Sequence, residues 1–258
     1  MKHLKYLSLL FVIFFTALTF GQSVEEALKQ ADELSAQKKH KEELDLLLAA
    51  EKQSPQNFEI LWRISRTYVD IGEHLPGKTD EQKEEQLKVY QKALDYAEKS
   101  VKAGSDKSVT YLRRAIANGR IALFKGVFSV ASIVNSVKAD CEKALKLNNS
   151  GTYHQALSHY ILGRTHAKLS EKWAPARAVL GLGWGDLEVG IQEYLKAIKL
   201  KPNFRMFHLD LAKAYIEDDQ YDNAREQLKK VISSPEEDED DDERSVEAKK
   251  LLEDIKNE

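Results

Sequence analysis

Trp62, Arg63 and Arg66 fall within one stretch of five residues, and their types suit two kinds of chemistry. On a helix, Arg66 lies one turn after Trp62, where a guanidinium can cover an indole ring and simply pack. Alternatively, Arg63 and Arg66 face a partner and hold an acidic group through paired N–H donors. Arg113, Arg114 and Arg164 recur in comparable settings further along the chain. These five arginines are the candidate contacts for a protein or peptide.

Seven histidines raise the question of a metal. His154, His159 and His166 cluster on one predicted helix. His159 and His166 share a face, but seven residues of helix separate them by about 10 Å, too far for a shared ion bound at about 2 Å. They read as surface or interface histidines, and no metal is expected. Cys141 is the only cysteine, so there is no intramolecular disulfide and no cysteine metal site. It reads as a small buried apolar residue. GLGWGD at 181–186 has the glycines of a phosphate loop but no preceding strand and no Lys or Ser at the needed place. No nucleophile, zinc-protease or nucleotide motif appears, so neither catalysis nor a cofactor is expected.

Residues 236–243 are an unbroken run of eight acids. Like charges repel, so the run is expected as an extended, solvated linker before a last helix at residues 245–256. A calcium loop is the alternative, but the EF-hand spacing with its central Gly is missing.

Two apolar segments stand out against this polar chemistry. Residues 121–137 carry Phe124, Val127, Phe128, Val130, Ile133, Val134 and Val137, apolar around most of a helical circumference. Residues 173–184 carry Trp173, Val179, Leu180, Leu182 and Trp184. A helix apolar on all sides needs cover on all sides. Either the segment from Trp173 to Trp184 folds back as a plug, or an apolar ligand such as a lipid lies against Phe124, Phe128, Trp173 and Trp184.

The elements that carry these residues are helices throughout. Apolar residues recur at helical spacing, as in Val24, Ala27, Leu28, Ala31 and Leu34, and no stretch alternates with period two. A tetratricopeptide repeat is a hairpin of about 34 residues, with small residues about 8, 20 and 27 residues in and a Pro at about 32. Residues 24–57 fit that frame through Ala31, Ala50 and Pro55, although Glu43 occupies one small-residue position. The count carries on past residue 58 through Ser65 and Tyr68. Near the other end, Ala197 and Pro202 close one unit, and Ala212, Tyr215, Ala224, Leu228 and Val231 fill the next. Ser65 to Ala93 spans 28 residues and Gly163 to Gly190 spans 27, where the frame allows about 12, so two units carry insertions. The first, residues 72–86, is polar with Pro76 and Gly77, and predicts an exposed loop running into a longer helix. The expected fold is all-α: a tetratricopeptide-like right-handed superhelix of about 11–12 helices over residues 22–258, whose first helices line a concave groove.

Several blocks carry a resemblance to a known family. They are EELDLLLAAEKQSPQNFEILWRISRTYVDIG, in which Leu61, Trp62, Arg63 and Arg66 form a Leu-Trp-Arg-x-x-Arg pattern, then YQKALDYAEKSV, YHQALSHYILGRTHAKLSEKWAPARAVLG and YLKAIKLKPNFRMFHLDLAKAYI. Over residues 40–257 the chain resembles the regulator of microtubule dynamics proteins. The resemblance implies a divergent tetratricopeptide-like helical domain. It departs at GLGWGD, where animal members usually carry a Pro-rich turn, and in its N-terminal segment.

In that segment Lys2, His3 and Lys5 precede an uncharged run from Leu7 to Phe20, with small residues at Thr19 and Gly21. This is the layout of a signal peptide over residues 1–21. As a helix the run would reach about 21 Å, short of the roughly 30 Å hydrocarbon core, although a retained membrane anchor is the alternative. The expected protein is therefore exported, periplasmic or secreted, a bacterial-type member of the family; if its source is a bacterium it does not meet microtubules. Of 39 basic residues two lie in this segment, leaving 37 against 42 acidic, so no basic excess favours nucleic acid. The sequence as a whole predicts a non-catalytic adaptor or scaffold that binds a protein or peptide in its groove; the second expectation is a carrier of an apolar ligand.

Overall fold

The computed structural model describes residues 23–125 and 130–258. The expected signal peptide, Val127 and Phe128 lie outside the described residues. Twelve α-helices and no strand occur among those described.

The hairpins follow the repeat frame. α1 (Val24–Ala36) pairs with α2 (His40–Gln53), α3 (Phe58–Glu73) with α4 (Asp80–Ala103), and α5 (Ser108–Lys125) with α6 (Ala131–Leu147). α7 (Thr152–Ser170) pairs with α9 (Leu187–Leu200) across the short α8 (Ala174–Val179), and α10 (Arg205–Glu217) pairs with α11 (Tyr221–Ser233). α12 (Asp241–Asp254) covers the last pair. Helix starts are set by side chains that satisfy the orphan N–H groups of the first turn: Ser23, Asn57 and Asp186 each accept from a backbone N–H two or three residues on. Thr79 and Gln82 form a reciprocal capping box at α4.

The small residues of the frame sit where helices cross. Ala31, Ala93, Ala212 and Ala224 are fully buried. Gly163 and Gly190 mark the α7–α9 crossing: a Cβ on Gly163 would stand 2.9 Å from the Gly190 carbonyl oxygen, and one on Gly190 3.0 Å from that of Gly163. Leu47, Ile60 and Ile64 join the first two hairpins, each worth about 2–3 kcal/mol of apolar burial. The frame's exception has a physical reason. Glu43 is fully buried, and its Oε1 accepts from Arg66 Nη2 at 2.5 Å.

The polar insertion is a turn around Pro76 and Gly77 that runs into the 24-residue α4, as the sequence predicts. The apolar segments differ from expectation. Residues 121–137 are not one helix, because Val130 is non-helical and caps the start of α6 at Ala131. Its apolar residues therefore serve separate contacts: Ile121 packs with Val69 and Tyr90, Val137 with Cys141 and Leu162, while Leu123 and Phe124 are exposed. Cys141 is fully buried, and burial pushes its thiol well above the usual range.

The acidic run also departs from an extended, solvated linker. The last helix begins at Asp241 rather than Ser245, and Asp241 is buried. Asp241 Oδ2 accepts from the backbone N–H of Glu237 and Asp238 at 2.9 and 3.0 Å. Arg244 pairs with Asp238, Asp240 and Asp241. Buried Arg205 donates to the carbonyls of Ser234 and Asp241. Two arginines thus supply the counter-charge and donors that fold a segment of like charges.

Candidate functional site: an arginine-floored groove with a closed rim

Where α3, α5, α7 and α10 stand side by side, their inner faces line a groove of about 660 Å³. Residues 238–240 and the start of α12 form its rim. First helices line the groove, as the repeat pattern predicts.

The five sequence-predicted arginines divide sharply. Arg63 binds Asp32 through Nε and Nη2 at 2.9 and 2.8 Å, pairs with Glu59, and lies 4.2 Å from the Trp62 ring centre. Arg66 is held by Glu43 and, at 3.5 Å, by Asp32. Packing thus accounts for both. Arg114 points at α6, where Asp140 takes it through two bonds of 2.8 and 2.6 Å, and it does not line the groove. Arg113 and Arg164 do line it.

Arg113 is the least neutralised of the five. Its side chain is buried, its guanidinium sits 5.3 Å from the Trp62 ring centre, and its Nε has no hydrogen-bond partner. Burial, with Arg66 beside it, pulls Arg113 down to about 10. Burial also pulls Arg120, further along α5 on the groove side and paired with Glu73, down to about 10. Asp70 faces them, lifted to about 6 by burial against the pull of Arg66 and Arg113. Arg164 donates to the Tyr160 hydroxyl at 2.8 Å, and Tyr160 donates to Asp210 at 2.8 Å, so that side is internally satisfied.

Aromatic rings border the floor. Trp62 meets His154 edge-on at 5.5 Å, His154 meets Tyr153 at 5.6 Å, and Tyr153 meets Phe204 at 6.0 Å. Burial, then the Arg113 charge, depresses His154 to about 4, so its ring is neutral near pH 7. The histidines of α7 take separate partners rather than lying on the surface: His159 pairs with Glu193 at 2.6 Å, and buried His166 meets Trp184 at 5.0 Å.

The segment from Trp173 to Trp184 is not a plug, since none of its residues lines the groove. Its apolar content is used on the α6–α7 edge instead. Leu182 is buried with Val130, Val134 and Leu169, and Trp184 donates its indole N–H to Asn135 at 2.8 Å. Trp173 and Val179 are left exposed. Phe124 tilts against Tyr90 at the groove's edge, at 5.6 Å.

One meeting had no sequence signal. The acidic rim reaches the far end of the chain, where His40 Nε2 lies 3.1 Å from Glu239. His74 Nε2 lies 3.5 Å from Glu239 and 3.4 Å from Asp240. His40 and His74 stack with ring centres 5.8 Å apart. The carboxylates of Glu43 and Glu239 hold His40 up at about 9, despite its burial. The first and last parts of the repeat array therefore touch across 199 residues of sequence.

Paired helices in sequence order, small residues at each crossing and a groove lined by first helices define a tetratricopeptide-type helical repeat protein. Among solved structures, the chain is similar to TTC0263, a thermophilic TPR protein of Thermus thermophilus. That match has a TM-score of 0.63 and 18% identity, and covers 88% of this chain and 98% of the other. Pseudomonas aeruginosa pilF is also similar, with a TM-score of 0.54 and 10% identity over 89% of this chain and 84% of the other. At such identities the likeness shows the fold alone. No curated protein sequence matches the chain. Residues 27–256 match the family described as regulator of microtubule dynamics protein 1-3, and the chain belongs to that family.

Proposed function

We propose that this protein is a non-catalytic adaptor or scaffold that binds an extended protein or peptide segment in the groove, with Arg113 receiving an acidic group. The observation that carries this reading is a buried guanidinium on the groove floor with an unpartnered Nε. A guanidinium held largely out of water without a paired carboxylate is suited to receive one that enters the groove. Arg164 and the neighbouring Lys168 and Lys172 extend the positive side of the groove. Arg63, Arg66 and Arg114 already have carboxylate partners and play the smaller part.

Peptides selected by display on the purified protein test this. They should be rich in Asp and Glu, and Arg113→Ala should weaken them at least ~10-fold, a loss of about 1.4 kcal/mol. Arg63→Ala with Arg66→Ala should weaken them less. Peptides that bind the Arg113→Ala variant equally well remove Arg113 from the site.

A second reading, carriage of an apolar ligand such as a lipid, draws on the groove's apolar wall of Val69, Tyr90, Val134, Val137 and Leu169, with Leu123 and Phe124 exposed beside it. Native and denaturing mass spectra of the purified protein separate the two readings. A mass lost on denaturation and recovered as lipid would favour the carrier. Export completes the proposal, supported by the basic start and uncharged run of residues 1–21. Among the described residues no helix is long and apolar enough to cross a membrane. Recovery of a chain beginning near Gln22 from the periplasm or medium is the expected result.

A further inference from the structure

We propose that His40, His74, Glu239 and Asp240 form a binding site for a divalent transition metal, with Zn²⁺ the best fit, that locks the acidic rim onto the second and third helices. These four side chains come from three separated parts of the chain: the start of α2, the cap of α3 and the segment before α12.

Three features support the site. The first is donor spacing. Bonds of about 2.0–2.1 Å in a tetrahedron put neighbouring donors about 3.3–3.4 Å apart. The observed separations are 3.1 Å from His40 Nε2 to Glu239 Oε1, 3.5 Å from His74 Nε2 to the same oxygen, and 3.4 Å from His74 Nε2 to Asp240 Oδ1. One donor atom each from His40, His74 and Glu239 all fall within 4.8 Å of one another. The second is the orientation of the rings. A ligating imidazole usually gives its other nitrogen to a carbonyl or carboxylate, which fixes tautomer and direction. His74 Nδ1 lies 2.7 Å from the Asp70 carbonyl oxygen, leaving Nε2 to face Glu239 and Asp240. His40 Nδ1 faces Glu43 Oε2 at 3.8 Å, and Glu43 is in turn fixed by Arg66. The third is unmet bonding. His40 Nδ1 and Glu43 Oε2 are both buried, and neither has a hydrogen-bond partner. A cation on His40 Nε2 would draw this imidazole–carboxylate pair together.

The donor set selects the ion. Two imidazoles with two carboxylates suit Zn²⁺ and its neighbours, whereas Ca²⁺ and Mg²⁺ prefer oxygen alone. Ligation by His40 requires its ring proton to leave for solvent, as for any imidazole ligand. Glu239 and Asp240 also line the groove, so the ion would hold the rim over the arginine floor. The site does not depend on the groove's occupant.

Zn²⁺ titrated calorimetrically into the chelator-treated, full-length protein should bind with one equivalent per chain. Co²⁺ should give the intense visible absorption of a four-coordinate site. His74→Ala and Glu239→Gln should each weaken Zn²⁺ at least ~10-fold. His74 is exposed, so its loss leaves the fold intact. His159→Gln, whose ring pairs with Glu193 and is not among the cluster's donors, should bind as the parent does. No Zn²⁺ heat, an octahedral Co²⁺ spectrum, or parental affinity in His74→Ala and Glu239→Gln overturns the site.

Discussion

Arg66 and Arg113 carry the same charge on adjacent inner helices, and both lie near the Trp62 ring, at 5.4 and 5.3 Å. They differ in what surrounds them. Arg66, with Arg63, meets three carboxylates, Asp32, Glu43 and Glu59. An unpartnered Nε is common to both, but Arg113 has one nearby ring and, among the described residues, no carboxylate ion pair. Stability accounts for the first arrangement, because removing any member strands a charge. It does not account for the second, where the fold retains a desolvated cation without a paired carboxylate among the described residues. Of the two, Arg113 is the one the proposed peptide site uses.

The largest effect that sharpens this contrast is Glu43→Ala. It strips a fully buried carboxylate from Arg66 and should cost about 3–5 kcal/mol in urea unfolding. Next comes pH, because His154 meets the Trp62 ring edge-on and feels the Arg113 charge. Its folded value of about 4 lies below the ordinary 6.5, so between those limits the unfolded chain binds more protons than the native one. Stability should fall as pH drops through that window, by no more than ~1.4 kcal/mol per pH unit from this group. His154→Gln should flatten that stretch of the stability–pH curve. Arg113→Met should be neutral or stabilising by about 1 kcal/mol in the same unfolding assay while peptide binding falls. A destabilisation like that of Glu43→Ala would break the comparison by making Arg113 structural. The smallest effect is Asp32→Asn. Its carboxylate is 46% exposed, so losing its bonds to Arg63 should cost only about 0.5–1 kcal/mol.

Features set by neighbours in sequence could be read before the structure. Ala31, Ala93, Ala212 and Ala224 mark crossings because a helical hairpin brings together residues one repeat apart or less, and the same logic put Arg113 and Arg164 on inner helices. The stretch from Gly72 to Gln86 was legible because polar residues around Pro76 and Gly77 turn in any context. The illegible part depended on summed curvature. Each repeat rotates slightly against the last, and only after five hairpins does Glu239 arrive beside His40 and His74. Composition also misled: eight consecutive acids predict a solvated chain, and although Arg244 follows them directly in sequence, Arg205 meets them only in space. The segment from Trp173 to Trp184 had the hydrophobicity of a plug, but burial against Val134 and Leu169 consumed its apolar face at the hairpin's edge.

The meeting of the acidic rim with His40 and His74 has a kinetic consequence. Open repeat arrays behave as one-dimensional chains, in which each unit answers only to its neighbours and terminal units fray independently. A contact between the two ends turns the line into a loop, so opening the first hairpin is coupled to opening the last. Hydrogen exchange in α2 and α12 should then proceed at matched rates, as for one cooperative unit. Folding of this chain should also wait on a long-range encounter that its local helical contacts would not otherwise require.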